Sequence, residues 1–63
     1  MLIVNGEPHT FIATVAELVT HLGWQNQRVA VEVNETLVPR PSWPQHRLHP
    51  QDRVEIVRAI GGG

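Results

Sequence analysis

Apolar residues fall along the chain in short runs whose spacing changes from two to about 3.6 and back again. Leu2 to Val4 is an aliphatic run that ends at Asn5-Gly6. That pair suits a two-residue type I′ hairpin turn, because both central positions of the turn need positive φ. The return strand is expected over Pro8 to Phe11. Proline has no N–H to give to a ladder, so this strand belongs at a sheet edge. The period then lengthens. Val15, Leu18, Val19 and Leu22 stand at i, i+3, i+4 and i+7, the stripe of a helix with one buried face. Thr14 and Glu17 have capping-box spacing, and Gly23 provides a left-handed stop, which predicts a helix over residues 14 to 22.

Alternation returns at Arg28 to Val33, with Val29, Val31 and Val33 on one face. Asn34-Glu35 is a turn, and Leu37-Val38 is a brief extended piece stopped by Pro39. Pro41, Pro44 and Pro50 make residues 39 to 50 an irregular crossover, with one helical turn expected near Ser42 to His46. Gln51-Asp52 turns the chain into a last strand, Arg53 to Ile60, with Val54 and Ile56 on one face. Val4, Val31, Val33, Val54 and Ile56 are the expected sheet contribution to the core. A hairpin, a helix and a crossover to further strands make an α+β fold of β-grasp order. One main helix covers one face of a mixed sheet of four to five strands. Residues 1–60 form the domain, and residues 61–63 a flexible glycine tail.

Composition narrows the functional classes. At 63 residues, 41% of them hydrophobic and 17% charged, the chain makes one folded domain. Such a domain buries only about 60% of its unfolded surface, which leaves little room for a deep catalytic pocket. Cysteine is absent, which excludes disulfides, thiolate chemistry and cysteine zinc sites. Net charge is −1, lysine is absent and the five arginines are scattered, so no nucleic-acid footprint is seen. No apolar run approaches a secretory h-region or the ~18 residues of a membrane span. A cytoplasmic protein with no membrane contact is the expectation.

Gly61, Gly62 and Gly63 directly follow the last strand. A glycine-rich end is often only a frayed terminus. Set after a strand and a β-grasp order, it also suits presentation of a carboxylate to another protein. Three extended residues reach about 10 Å. Without Cβ atoms they fit a narrow channel. Such a carrier needs no catalytic residue of its own and no resident cofactor. Val57, Ala59 and Ile60 are expected to face away from Val54 and Ile56 and to form an apolar docking patch beside the tail. Uncovered sheet faces usually alternate to polar residues. His46 and His49 have i, i+3 spacing but lack further ligands, so they are read as surface histidines and no metal site is assigned. Trp43 is expected to pack the crossover onto the core. Trp24 is open between partner contact and packing, and Arg40 between a solvated charge and a loop anchor.

The segment Asn34-Glu35-Thr36-Leu37-Val38-Pro39-Arg40-Pro41-Ser42-Trp43, with Asp52, the aliphatic last strand and the Gly62-Gly63 end, resembles the ThiS family of ubiquitin-like sulfur carriers. The resemblance covers essentially the whole chain; a third terminal glycine is its one departure from the family's pair. It implies a carrier for thiamin thiazole synthesis. A ThiF-like adenylyltransferase would activate the Gly63 carboxylate with ATP. Sulfur drawn from cysteine by a desulfurase would give a thiocarboxylate, and a ThiG-like thiazole synthase would accept the tail. The rival readings are a MoaD-like carrier for molybdopterin synthesis, a ubiquitin-like modifier of lysines, and a non-covalent β-grasp interaction module.

Overall fold

The computed structural model describes residues 1–58. The elements are β1 (Leu2–Val4), β2 (Glu7–His9), α1 (Val15–His21), β3 (Val29–Val33), β4 (Thr36–Val38), a 3-10 turn at Arg40–Ser42, and β5 (Arg53–Arg58). The strands form one sheet in the order β2-β1-β5-β3-β4. β1 and β5 run parallel, and the other neighbours run antiparallel. The expected α+β β-grasp layout is therefore the observed one, with five strands.

Asn5 and Gly6 both have positive φ, at 50° and 82°, as the type I′ turn requires. The return strand is earlier and shorter than expected, ending at His9 rather than Phe11. The tight turn sets the register Val4 opposite Glu7, and β1 runs out at Leu2, opposite His9. With no partner beyond that point, residues 10 and 11 leave the sheet. Pro8 lies on the edge strand, as its missing donor demands. The second hairpin also turns on two positive-φ residues, Asn34 at 50° and Glu35 at 70°.

Helix α1 begins one residue after Thr14, whose hydroxyl oxygen accepts from the Glu17 N–H at 3.2 Å. The Glu17 carboxylate reaches back to the Thr14 hydroxyl at 3.0 Å, a variant of the capping box. The amides of Val15 and Ala16 donate instead to the His46 and Trp43 carbonyls, so the proline-rich crossover closes the helix start. At the other end Leu22 is the cap and Gly23 takes φ +80°. Gly23 N–H bonds to Thr20 O and Trp24 N–H to Val19 O, the two bonds of a Schellman stop. Trp24 lies half-buried against the core, so part of its ring packs within this domain.

Val15, Leu18 and Val19 are buried, whereas Leu22, at the helix end, is only half covered. They pack with Val4, Val31, Val33, Val54 and Ile56, the expected sheet positions. Leu2, Val38, Trp43 and Leu48 complete the core. The crossover thus contributes two large side chains. Its helical piece is a 3-10 turn at Arg40–Ser42, upstream of the expected Ser42 to His46 turn, since Pro41 fits the first turn of a helix. Further turn bonds follow it, from His46 N–H to the Ser42 and Trp43 carbonyls.

Candidate functional site

Strand β5 is the last described element before the glycine end of the sequence, so what holds β5 fixes the base on which that end stands. β5 lies between β1 and β3. Its pairing with β3 is long, five residue pairs, but with β1 it pairs only through Ile3–Arg53 and Val4–Val54. Beyond Val54 the β1 side of β5 has no strand. The Asn5 side chain fills that gap: its Oδ1 accepts from Ile56 N–H at 2.8 Å and its Nδ2 donates to Ile56 O at 3.3 Å. The left-handed turn that ends β1 aims the amide back at β5.

A second asparagine does the same at the start of the strand. Asn34 Oδ1 accepts from Arg53 N–H at 3.0 Å, and its Nδ2 donates to Asp52 Oδ1 at 3.1 Å. Asp52 Oδ2 in turn accepts from His49 N–H at 2.8 Å. Both ends of β5 are therefore tied by side chains from left-handed turn residues. The sequence marked these asparagines only as turn formers. The signal that could have found the clamps is an asparagine at a turn beside a strand longer than its neighbour.

Pleating puts Glu55 and Val57 on the face opposite Val54 and Ile56. Val57 is 61% exposed there, opposite Ala30, and Leu37 is 60% exposed opposite Glu32. Glu32 and Glu55 also face each other directly. The outer face thus carries exposed aliphatic groups beside two adjacent carboxylates. Leu37 and Ala30 were not singled out from sequence, because their place beside Val57 follows from strand register. Ala59, Ile60, Gly61, Gly62 and Gly63 lie outside the described residues.

Arg40 is a loop anchor. Its guanidinium donates to Gln25 O at 3.3 Å and Gln27 O at 2.7 Å, and it lies over the Trp43 ring at 4.4 Å from the centroid. Trp43 is 5% exposed and its indole N–H donates to Val38 O at 2.9 Å. The Val-Pro-Arg-x-x-Trp run therefore joins β4, the 3-10 turn and the loop before β3. An open cavity of about 320 Å³ lies beside it, lined by Arg28, Val29, Ala30, Arg40, Val57 and Arg58. It is an open surface concavity and not a deep pocket. His49 stays exposed and its ring approaches Asp52 at 3.8 Å. Among the described residues no group of three or more histidines and carboxylates is placed to hold a metal. No helix among them is long and apolar enough to cross a membrane.

One helix over a five-stranded mixed sheet in this order defines a β-grasp, ubiquitin-like domain. A crystal structure of the thiamine biosynthesis protein ThiS from Geobacter metallireducens superposes on it with a TM-score of 0.82 and 33% identity, covering 98% of this chain and 97% of that one. The ThiS family model matches residues 2–63, and the chain belongs to the ThiS family. It is 34% identical to the sulfur carrier protein ThiS of Escherichia coli over 50 residues, 79% of this chain and 76% of that protein. It is also 44% identical over 64 residues to a thiazole synthase of Paramagnetospirillum magneticum, covering 98% of this chain and 20% of that enzyme. The chain thus spans about a fifth of that relative's length.

Proposed function

We propose that this protein is a sulfur carrier for thiazole formation in thiamin biosynthesis, with the Gly63 carboxyl group as the site of sulfur attachment. The observation that carries this reading is the ThiS-family match, which runs through Gly61, Gly62 and Gly63. A carboxylate resists sulfur nucleophiles because oxide is a poor leaving group. Attack of the Gly63 carboxylate on the α-phosphate of ATP forms an acyl adenylate and releases pyrophosphate. A sulfur nucleophile then adds to the acyl carbon, and AMP leaves with the C–O electron pair. When that nucleophile is the donor's persulfide the product is an acyl disulfide; a second thiol then attacks the donor's inner sulfur, forms a disulfide with it, and the thiocarboxylate leaves with the S–S electron pair.

The catalytic groups for these steps belong to partners: a ThiF-like adenylyltransferase that uses ATP, a cysteine desulfurase supplying sulfur, and a ThiG-like thiazole synthase. The chain's own part is to present an acyl group on a rigid base. Asn5 and Asn34 tie β5, and the exposed Val57 offers an apolar group for docking; Ala59 and Ile60, which follow it in the sequence, are proposed to extend that contact. The thiazole synthase relative supports the synthase as partner, because a segment of this kind occurs there within the enzyme's own chain. Dependence on ATP and cysteine fits action in the cytoplasm. The same family match favours this reading over a molybdopterin carrier or a lysine modifier.

The test is intact-mass analysis of the full chain after incubation with the adenylating partner, ATP and a sulfur source. The expected result is replacement of one oxygen by one sulfur on the C-terminal residue. A chain lacking Gly63 should lose ATP–pyrophosphate exchange, because its carboxylate stops about 3.5 Å short of the nucleotide. Full exchange without Gly63 would remove that residue from the reaction.

A further inference from the structure

Two histidines from different elements meet at the edge of the helix–sheet layer. His9 ends β2 and stands opposite Leu2, so its side chain lies on the sheet face that α1 covers. His21 ends α1. Their ring centroids are 5.4 Å apart and their planes are at 89°. His9 Nδ1 lies 2.8 Å from the Thr10 carbonyl oxygen. A carbonyl oxygen only accepts, so Nδ1 carries the proton and Nε2 keeps a lone pair. Among the described residues no hydrogen bond occupies His9 Nε2 or either nitrogen of His21. His21 is also exposed, so its ring is free to turn about its own side-chain bonds.

We infer that His9 and His21 together bind a divalent late transition-metal ion of the zinc class, through His9 Nε2 and one nitrogen of His21. A ring held by Nδ1–H on a backbone carbonyl, with Nε2 left open, is the arrangement that orients metal-binding histidines. Two imidazoles on one tetrahedral ion, with metal–nitrogen bonds of ~2.0–2.1 Å, hold their ring centres about 5.2 Å apart. The observed separation of 5.4 Å is already close to that value. An edge-to-face contact between rings needs neither a fixed tautomer nor open nitrogens. Imidazole suits zinc, copper and nickel, whereas magnesium and calcium take oxygen ligands. No group of three or more histidines and carboxylates forms among the described residues, so water fills the remaining positions and the ion exchanges freely, unlike that of a closed structural site. His9 lies level with the start of β5, and Arg58, the last described residue, stands ~20 Å further along the sheet. The proposal makes no use of the Gly63 carboxyl chemistry and stands without it.

The test is titration of the isotope-labelled full chain, free of any polyhistidine tag, with zinc chloride at about pH 7.5, where an ordinary imidazole is neutral. Histidine ring and backbone signals give the readout, and magnesium chloride at matched ionic strength is the control. Saturable shifts are expected at the rings of His9 and His21 with zinc and not with magnesium. His9→Gln and His21→Gln should each weaken binding at least about tenfold, since loss of a group that only orients a ligand already costs ~10–100-fold. The double variant His46→Gln/His49→Gln should bind within about twofold of the wild type, because those rings belong to the crossover and not to this pair. Wild-type affinity in either single variant would overturn the proposal, since one imidazole would then suffice. Shifts that magnesium reproduces would also overturn it. So would zinc shifts centred on His46 and His49, or on the Gly63 carbonyl, which would assign the ion to the crossover or to the terminal carboxylate. Unchanged methyl spectra in the metal-free variants establish that the fold is intact.

Discussion

Replacing Asn5 by alanine probes the tie between the first hairpin and the last strand. The substitution removes the 2.8 Å bond from Ile56 N–H and the longer 3.3 Å bond to Ile56 O. Each such bond contributes about 0.5–1.5 kcal/mol net, and the longer one belongs at the low end. Position 5 also sits at φ +50°, where alanine is less favourable than asparagine by about 1 kcal/mol. The sum is roughly 2–3 kcal/mol, a large share of the ~5–15 kcal/mol that holds a typical domain together. With a urea slope near ~1 kcal/mol per molar for a chain this small, the midpoint should fall by about 2 M or more. Asn5→Gly separates the contributions, since glycine accepts the left-handed conformation but makes neither bond; it should lose about 1–2 kcal/mol. Hydrogen exchange at the Ile56 amide gives the local readout and should accelerate in both variants. A loss below 0.5 kcal/mol in Asn5→Ala, with Ile56 exchanging at the wild-type rate, would refute the clamp.

Trp43→Phe keeps most of the aromatic bulk but removes the indole bond to the Val38 carbonyl, so urea unfolding should show a loss of about 0.5–1.5 kcal/mol. A loss within error of zero would mean that water replaces the indole. Glu35→Gly should act in the opposite direction: glutamate holds φ +70° in the second hairpin, and relief of that conformation should stabilise the domain by about 0.5–1 kcal/mol, measured by the same unfolding assay. A destabilised Glu35→Gly variant would show that the Glu35 side chain stabilises the turn by more than its backbone costs.

Much of this fold is written in short windows of sequence. The Asn5-Gly6 turn, the Thr14 cap, the Gly23 stop and the 3.6-residue stripe of Val15, Leu18 and Val19 are signals that span a few residues. The alternation of Val29, Val31 and Val33 likewise told inside from outside. The motif around Val38-Pro39-Arg40 and the terminal glycines identified the family. These features are legible because backbone conformation and the burial period depend on nearby residues.

Tertiary structure decided what depends on distant residues meeting. Asn5 and Ile56 are 51 positions apart, and their bond exists because β1 ends two pairs into a parallel alignment with β5. No local window contains that mismatch. The irregular crossover packs Trp43 into the core as the sequence suggested, but its second core residue, Leu48, and the two carbonyls with which it caps the helix follow only from the fold. Arg40 was open between solvent and loop until Gln25 and Gln27 were folded beneath it. The cavity of Arg28, Arg40 and Arg58 arises in the same way, since charges scattered in sequence become neighbours only when three separate elements end at one side of the sheet. The sequence by itself determined the elements, the buried face and the family. Only the folded chain decided how the last strand is held and what surrounds its end, because those are properties of strand register and contact between segments far apart in the chain.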